Sequence, residues 1–316
     1  MRRIIGIGAA FAAAMTATGP ATAAGFPDKD ITFIIPYGPG GGFDTIVRKL
    51  SPVMQKYLPN KVNVVPKNIA GAGGKKALVT LYRAKPDGYQ IAIFNMPGML
   101  LDKILGQKTD YDIDKFTWIG RIAVDPYVLT ASAKKGITSW KDLKGKSLKY
   151  AITNYNSGSY VAGRILSEAM GLKVAFLPGY KGSAAISLSM VRGDTDVSLF
   201  NAASGAKWAE GGDIKLILAL EDKSQWPKVP TVADAGHPDL SILSVDRYVG
   251  APPGLKPEVR KVISEALMKT LADKEIQAWS KKTGRPVHPL AGEAAEQQLQ
   301  NLAKFYGKYK DALAKR

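Results

Sequence analysis

Apolar and polar positions along this chain repeat with two periods. Ile31-Thr32-Phe33-Ile34-Ile35 is a short apolar run of the kind that forms a buried strand. Directly after it, Ile46, Val47, Leu50, Val53, Met54 and Leu58 fall on one helical face. Pro52 sits inside that face and removes a backbone hydrogen bond, which predicts a bent axis or a late helix start. The unit repeats with a strand at 62–65, a helix over 74–84, a Pro86-Asp87-Gly88-Tyr89 turn and a strand at 90–94. Alternation at this spacing predicts parallel strands in an α/β layer.

Past the apolar run at 118–123 the alternation starts again. Strands are expected at 127–131, 147–152, 174–177, 197–200 and 214–220, with helices at 157–170 and 183–191 between them. Gly171 is placed to end the first of these helices. This is a second α/β domain. Three more helices, 256–271, 274–283 and 291–313, have no strands of their own and are expected to pack back on the first domain. The chain has no low-complexity tract and no solenoid period.

Composition places the chain before it assigns chemistry. Arg2 and Arg3 precede a small, apolar run at 4–15, and Ala21-Thr22-Ala23 has the form of a cleavage site, so residues 1–24 read as a signal peptide. The run is too short to span a bilayer before Thr16, Thr18, Gly19 and Pro20 interrupt it. With no cysteine, neither disulfides nor a lipidated N-terminal cysteine is available, and a periplasmic location is expected. Removing the two arginines takes the formal charge from +17 to +15. Scattered lysines and export argue against nucleic acid as the partner and for a solvated basic surface, with attraction of anionic solutes as a further option.

Few residues are available for catalysis or metal binding. His237 and His288 each adjoin a proline in a loop, and no histidine pair or cysteine offers a zinc site. No Gly-x-Ser-x-Gly elbow surrounds any serine. The turn Pro36-Tyr37-Gly38-Pro39-Gly40-Gly41-Gly42-Phe43-Asp44 lacks a P-loop's Gly-Lys-Ser/Thr ending, and Phe43 stands at the third Rossmann glycine position. No cofactor is therefore expected. What the turn does offer is free amides at a helix start, approachable because glycine carries no side chain. Asn68-Ile69-Ala70-Gly71-Ala72-Gly73-Gly74 is a second turn of this type. Asn154-Tyr155-Asn156-Ser157-Gly158-Ser159-Tyr160 and Gly179-Tyr180-Lys181-Gly182-Ser183-Ala184 are a third and a fourth. Asp44 fits either a ligand contact or an N-cap accepting from the Ile46 or Val47 amide, and Ser157 and Ser183 fit helix caps. Capping does not account for four such turns, two in each domain. At the carboxyl ends of their strands they would face one cleft.

In their order and spacing, Pro36-Tyr37-Gly38-Pro39-Gly40-Gly41 with Asp44, the turn at 68–74 and Pro86-Asp87-Gly88-Tyr89 resemble the substrate-binding proteins of the tripartite tricarboxylate transporter family. Tyr180-Lys181-Gly182-Ser183, Pro230-Thr231-Val232-Ala233-Asp234-Ala235-Gly236 and Ala251-Pro252-Pro253-Gly254 extend the likeness over almost the whole mature length. The resemblance implies an α/β, two-lobed periplasmic-binding-protein-like fold of type II, with a ligand cleft between lobes. Lobe 1 would comprise 25–124 and 247–316, and lobe 2 would comprise 125–246. It also implies a small organic carboxylate as ligand, membrane permease subunits as partners, a monomer, and no catalysis. Carried over, the ligand site includes Tyr37, Gly38, Gly40, Gly41 and Asp44, with Gly73 and Gly74 nearby. Across the cleft it includes Asn154, Ser157, Gly158, Ser159, Gly182, Ser183 and Ala184. Position at strand ends adds Asn95, Met96, Phe200, Asn201 and Arg247, and Phe43 and Tyr160 are added as apolar walls. Arg247 would either fork a second carboxylate or form a hinge ion pair. The second-lobe turn at 156–163 lacks the histidine common in the family, and the Pro178-Gly179-Tyr180 step carries an extra residue, so selectivity is expected to differ. A periplasmic sensor docking on a signalling receptor shares this site, and an exported enzyme would need an activated base that the sequence does not supply.

Overall fold

The computed structural model describes residues 25–315, so the leader assigned to 1–24 lies outside the described residues. The first apolar run forms β1 (Ile31–Ile35), flanked in parallel by β2 (Val64–Asn68) and β3 (Gln90–Met96). Helix α1 (Gly42–Gln55) connects β1 to β2, and α2 (Lys75–Tyr82) connects β2 to β3. Pro52 neither delays nor ends α1, which begins at Gly42 and runs on to Gln55. A short α3 (Leu101–Leu105) follows β3.

The apolar run at 118–123 and the strand expected at 127–131, on either side of Pro126, are one strand, β4 (Thr117–Ser132). Its first part pairs with β9 (Ser244–Ala251) and with β10 (Leu290–Ala291); from Tyr127 onward it pairs with β7 (Val197–Asn201) and β8 (Ile214–Leu220). Proline has no N–H to give a ladder, and Pro126 falls where β4 changes partners, so the strand survives it. Beyond β7 the sheet continues through β5 (Ser147–Ala151) and β6 (Lys173–Leu177), giving the order β2-β1-β3-β9-β4-β7-β5-β6. Parallel pairing, as expected, joins β1 to β2 and β3, and β5 to β6 and β7, but the middle of the sheet is antiparallel. β9 lies antiparallel between β3 and β4, because it brings the chain back beside the strand by which it left.

Helices cover both faces. Ile31, Phe33 and Ile35 of β1 point into a core shared with α1, α7 (Pro257–Ala272) and α8 (Lys274–Thr283). Ile34 and Phe94 point to the other face, against α2, α3 and α9 (Gly292–Gly307). That second core runs without a break into the other half, where Tyr150 and Leu199 meet α4 (Gly158–Ala169). A small core around Ile186 and Phe200 lies with α5 (Ser183–Arg192) and α6 (Ala202–Ala209).

The helix expected over 291–313 is two. After Gly307 the chain turns and a short α10 (Lys310–Ala314) packs on α3 of the first half and on α4 of the second. Arg164 Nε of α4 donates to Ala312 O at 2.8 Å, and Leu313 is 1 % exposed. The expectation that all three C-terminal helices stay with the first domain therefore fails for this last turn. Leu313→Ala should lower unfolding free energy by about 2–5 kcal/mol, through lost burial and a residual cavity. Urea denaturation measures this, and a change near zero would show that α10 does not hold the halves together.

Candidate functional site

All four glycine-containing turns lie at the carboxyl ends of their strands. β1, β2, β5 and β6 end at Ile35, Asn68, Ala151 and Leu177, and the loops that follow converge on one cleft. Two adjoining cavities of about 750 Å³ and 400 Å³ share Gly40, Gly41, Phe43, Asn95, Ser157 and Ser183. The larger also touches Tyr37, Gly38, Gly73, Asn154, Gly182 and Ala184. The smaller reaches Gly158, Ser159, Phe200, Asn201 and Arg247.

Four helices start at this cleft, and their N-termini are not alike. Ser157 caps α4, its Oγ accepting from Tyr160 N at 3.2 Å, and Asn201 caps α6, its Oδ1 accepting from Ser204 N at 3.1 Å. The N-cap of α1 is Gly41 and that of α5 is Gly182, and no side chain caps either helix. The capping role weighed for Ser183 is thus corrected, since Ser183 is the first helical residue. A helix leaves its first N–H groups without intrahelical partners and carries partial positive charge there. One open terminus comes from each half, and both border the larger cavity.

Asp44 is not in the cavity wall, and it is not the N-cap of α1. It is the third helical residue, and its buried carboxylate turns back to accept from Gly40 N at 2.9 Å. Its other oxygen accepts from Arg48 Nε and Asn68 Nδ2, each at 2.9 Å. Asn68 Nδ2 also donates to Tyr37 O at 3.0 Å, so Asp44 ties the first glycine turn to the second. Burial pushes the Asp44 carboxyl up, but the Gly40 amide, Asn68 and Arg48 together outweigh that and hold it below the usual carboxylate range. Three further expected residues are also out of the wall. Gly74 is buried, with Met99 Cε 2.7 Å from where a Cβ would lie. Met96 is buried in the sheet, and Tyr160 is buried between Tyr155 and Phe176.

Arg247 lies beneath the smaller cavity, 2 % exposed, with its guanidinium carbon 5.1 Å from the centre of the Phe43 ring. Its Nη2 donates to Asp125 Oδ2 at 3.1 Å, and Asn201 Nδ2 donates to the same oxygen at 2.8 Å. The hinge ion pair is therefore the arrangement present. Asn95 Nδ2 donates to Tyr37 Oη at 2.8 Å; burial pushes that phenol up to about 12, against the pull of Asn95 and Arg247. Asn95 Oδ1 and Arg247 Nε are buried with no hydrogen-bond partner among the described residues. Reading the sequence missed Arg285, Lys207 and Trp208, which also line the smaller cavity. Arg285 lies in a basic stretch, Lys281-Lys282-Thr283-Gly284-Arg285, that looks like ordinary surface. The lining holds four cations, Lys181, Lys207, Arg247 and Arg285, and no aspartate or glutamate.

Two outcomes follow. Asp44→Asn replaces one acceptor with a donor where three donors converge, and should cost about 1–3 kcal/mol of stability while weakening ligand binding. Equal stability by chemical denaturation would show that the carboxylate does not fasten the turn. The second concerns Asp246, beside Arg247. Burial pushes its carboxyl up to about 6, with Asp125 adding to the rise and Ser244, Arg121 and Arg247 opposing it. The folded chain keeps this proton to about pH 6, whereas an unfolded aspartic acid releases it near pH 3.9. Its stabilising contribution is therefore complete below that lower value and is lost as pH rises through about 6. Asp246→Asn should flatten the stability profile across this window, and an unaltered profile in urea titrations would refute it.

Comparison with known proteins agrees with this architecture. Residues 46–314 match the model of the tripartite tricarboxylate transporter family receptor. Protein BugT of Bordetella pertussis is 24% identical over 301 residues, covering 91% of this chain and 90% of that protein. The solved periplasmic binding protein BugD superposes with a TM-score of 0.77 at 23% identity, over 91% of this chain and 98% of its own. MatC from Rhodopseudomonas palustris, solved with bound malate, superposes with a TM-score of 0.76 at 21% identity, over 91% of this chain and 100% of its own. With four turns of one type opening on a cleft between two α/β lobes, and a family match that runs from within α1 to residue 314, the chain belongs to the tripartite tricarboxylate transporter receptor family.

Proposed function

We propose that the mature chain, exported and cleaved near residue 24, is a monomeric periplasmic receptor. It captures one small organic carboxylate and delivers it to the permease subunits of a tripartite tricarboxylate-type transporter, with no cofactor and no chemical change to the ligand. The observation that carries this reading is the pair of uncapped glycine N-termini, at Gly41 and Gly182, on opposite sides of one cavity. A carboxylate accepts hydrogen bonds from both sets of first-turn amides, and each helix end favours its charge. These bonds strengthen as the lobes close and exclude water, because charge-assisted hydrogen bonds gain in a low dielectric. Binding both termini at once favours the closed state, which gives the permease a shape to recognise. MatC, a protein of the same fold, was solved with malate, a compact carboxylate.

The wall residues then assign roles. Glycine at position 40 has φ +80, a conformation other residues adopt only with strain, so it shapes the turn. Gly41 has ordinary extended backbone, φ −78 and ψ 172, and the nearest atom to an added Cβ is Gly38 O at 3.9 Å. A side chain at position 41 is therefore tolerated by the fold and tests the site alone.

Gly41→Asp supplies the missing cap. It should hold stability level or raise it by a few tenths of a kcal/mol, while weakening carboxylate binding by about tenfold or more through competition for the same amides and charge repulsion. The measurement is a thermal-shift screen of carboxylic acids followed by calorimetry and a check for turnover. A ligand at about 100 times its dissociation constant adds about 2.7 kcal/mol. Tight binding by folded Gly41→Asp protein would remove this helix terminus from the site, and turnover of the bound acid would replace the receptor reading with an enzyme.

A further inference from the structure

The smaller cavity carries positive charge that the protein does not answer. Arg285 follows Gly284, the left-handed residue that ends α8. Its backbone is fixed twice: its N–H donates to Ser280 O at 3.2 Å, and its carbonyl accepts from Ser280 Oγ at 2.6 Å. From this anchor the side chain lines the cavity, with Nη1 3.4 Å from where a Cβ on Gly42 would lie, at the first turn of α1. The same loop touches the opposite half, since a Cβ on Gly284 would lie 3.8 Å from Ala203 Cβ in α6.

Arg285 thus stands beside the positive end of α1 and in the field of Arg247. Among the described residues it forms no ion pair with any carboxylate, and none lies in the cavity wall. Of the two buried carboxylates near the cluster, Asp125 is already shared by Arg247 and Asn201, and Asp246 accepts from Ser244 Oγ and forms no ion pair with Arg285. Burial first, and then the charge of Arg247, lower the Arg285 pKa, and the weaker attraction of Asp125 does not offset them. Arg247 Nε adds a second signal, a donor buried in the same wall with no acceptor. A neutral or monoanionic ligand held at Gly41 and Gly182 leaves this excess in place. A ligand with a second oxyanion removes it.

We infer that Arg285 is a specificity residue that selects acids bearing a second anionic group, which it receives while the first is held by the amides at Gly41 and Gly182. The inference rests on the carboxylate-receptor reading and assigns that site a dicarboxylate rather than a monocarboxylate. The guanidinium's planar fork suits a carboxylate and loses less freedom per hydrogen bond than a flexible ammonium would.

The test is calorimetry at one salt concentration with acids of matched length: succinate against butyrate, glutarate against pentanoate, adipate against hexanoate. For at least one length, the wild-type chain should bind the diacid about tenfold or more tighter than the monoacid, the size expected for a charge-assisted pair. Arg285→Gln should bring that ratio to within about threefold of unity, and Arg285→Lys should restore part of it, with a melting curve on each variant to confirm folding. An Arg285→Gln protein that keeps the wild-type ratio overturns the inference. So does a wild-type chain that binds monoacids as tightly as diacids at every length, which leaves the receptor reading standing. Failure of every acid, mono or di, to bind the wild-type chain removes both.

Discussion

The buried pair between Arg247 and Asp125 is the constraint on which the rest of this molecule turns. It sits where β4 leaves β9 for β7 and β8, so its two residues come from the two strands that cross between the halves. Asn201, at the end of β7, binds the same carboxylate oxygen, and Phe43, from the first glycine turn, lies over the guanidinium. Placing two charges in so dry a position is costly, and the cost is offset only when each is paired and hydrogen-bonded. The pair therefore fixes one relation among four pieces of chain: both crossover strands, the first-half turn, and the start of α6. Losing either partner would leave the other charge buried, which typically costs about 3–5 kcal/mol.

Around that crossing the site divides its labour. Hydrogen-bonding side chains behind the first turn hold its loop, and at the uncapped helix starts it is glycine that meets the cavity. Asp44, Arg48 and Asn68 fasten the two first-half turns together from behind. In the second half, Ser157 Oγ donates to Asn154 O and accepts from Tyr160 N, so this turn is closed on itself. The halves also meet at the rim, where a Cβ on Gly73 would stand 3.3 Å from Asn156 Cβ. Rigid loops with bare glycine faces give directed donors that need no reorganisation when a ligand arrives.

Much of this was legible in the sequence, for reasons specific to each segment. The apolar runs of β1 and β8 and the amphipathic pattern of α8 mark their elements closely, because each packs on neighbours of ordinary hydrophobic character. β9 was harder to see: Asp246 and Arg247 interrupt its pattern, yet every residue of Ser244–Ala251 is buried. A local pattern treats charge as exposure, and only the crossing partner Asp125, far away in the chain, reverses that reading. The run Ala202–Ala209 is too rich in alanine, glycine and serine to show helical periodicity, so α6 was missed along with its wall residues Lys207 and Trp208. Turn chemistry located the cleft, but the choice of which helix ends stay open, Gly41 and Gly182, was visible only once the caps of α4 and α6 were in place.

The open helix ends have a consequence for inheritance. A binding group that is a side chain disappears with one nucleotide change, but a backbone amide is present whichever residue other than proline occupies the position. Drift through a lineage can therefore change many side chains around this cleft and still leave the open helix ends in place. Gaining a cap, gaining a proline in the first turn, or a shift of the turn itself closes them. The donors are written in the path of the chain, and the shape around them in side chains that are cheap to replace.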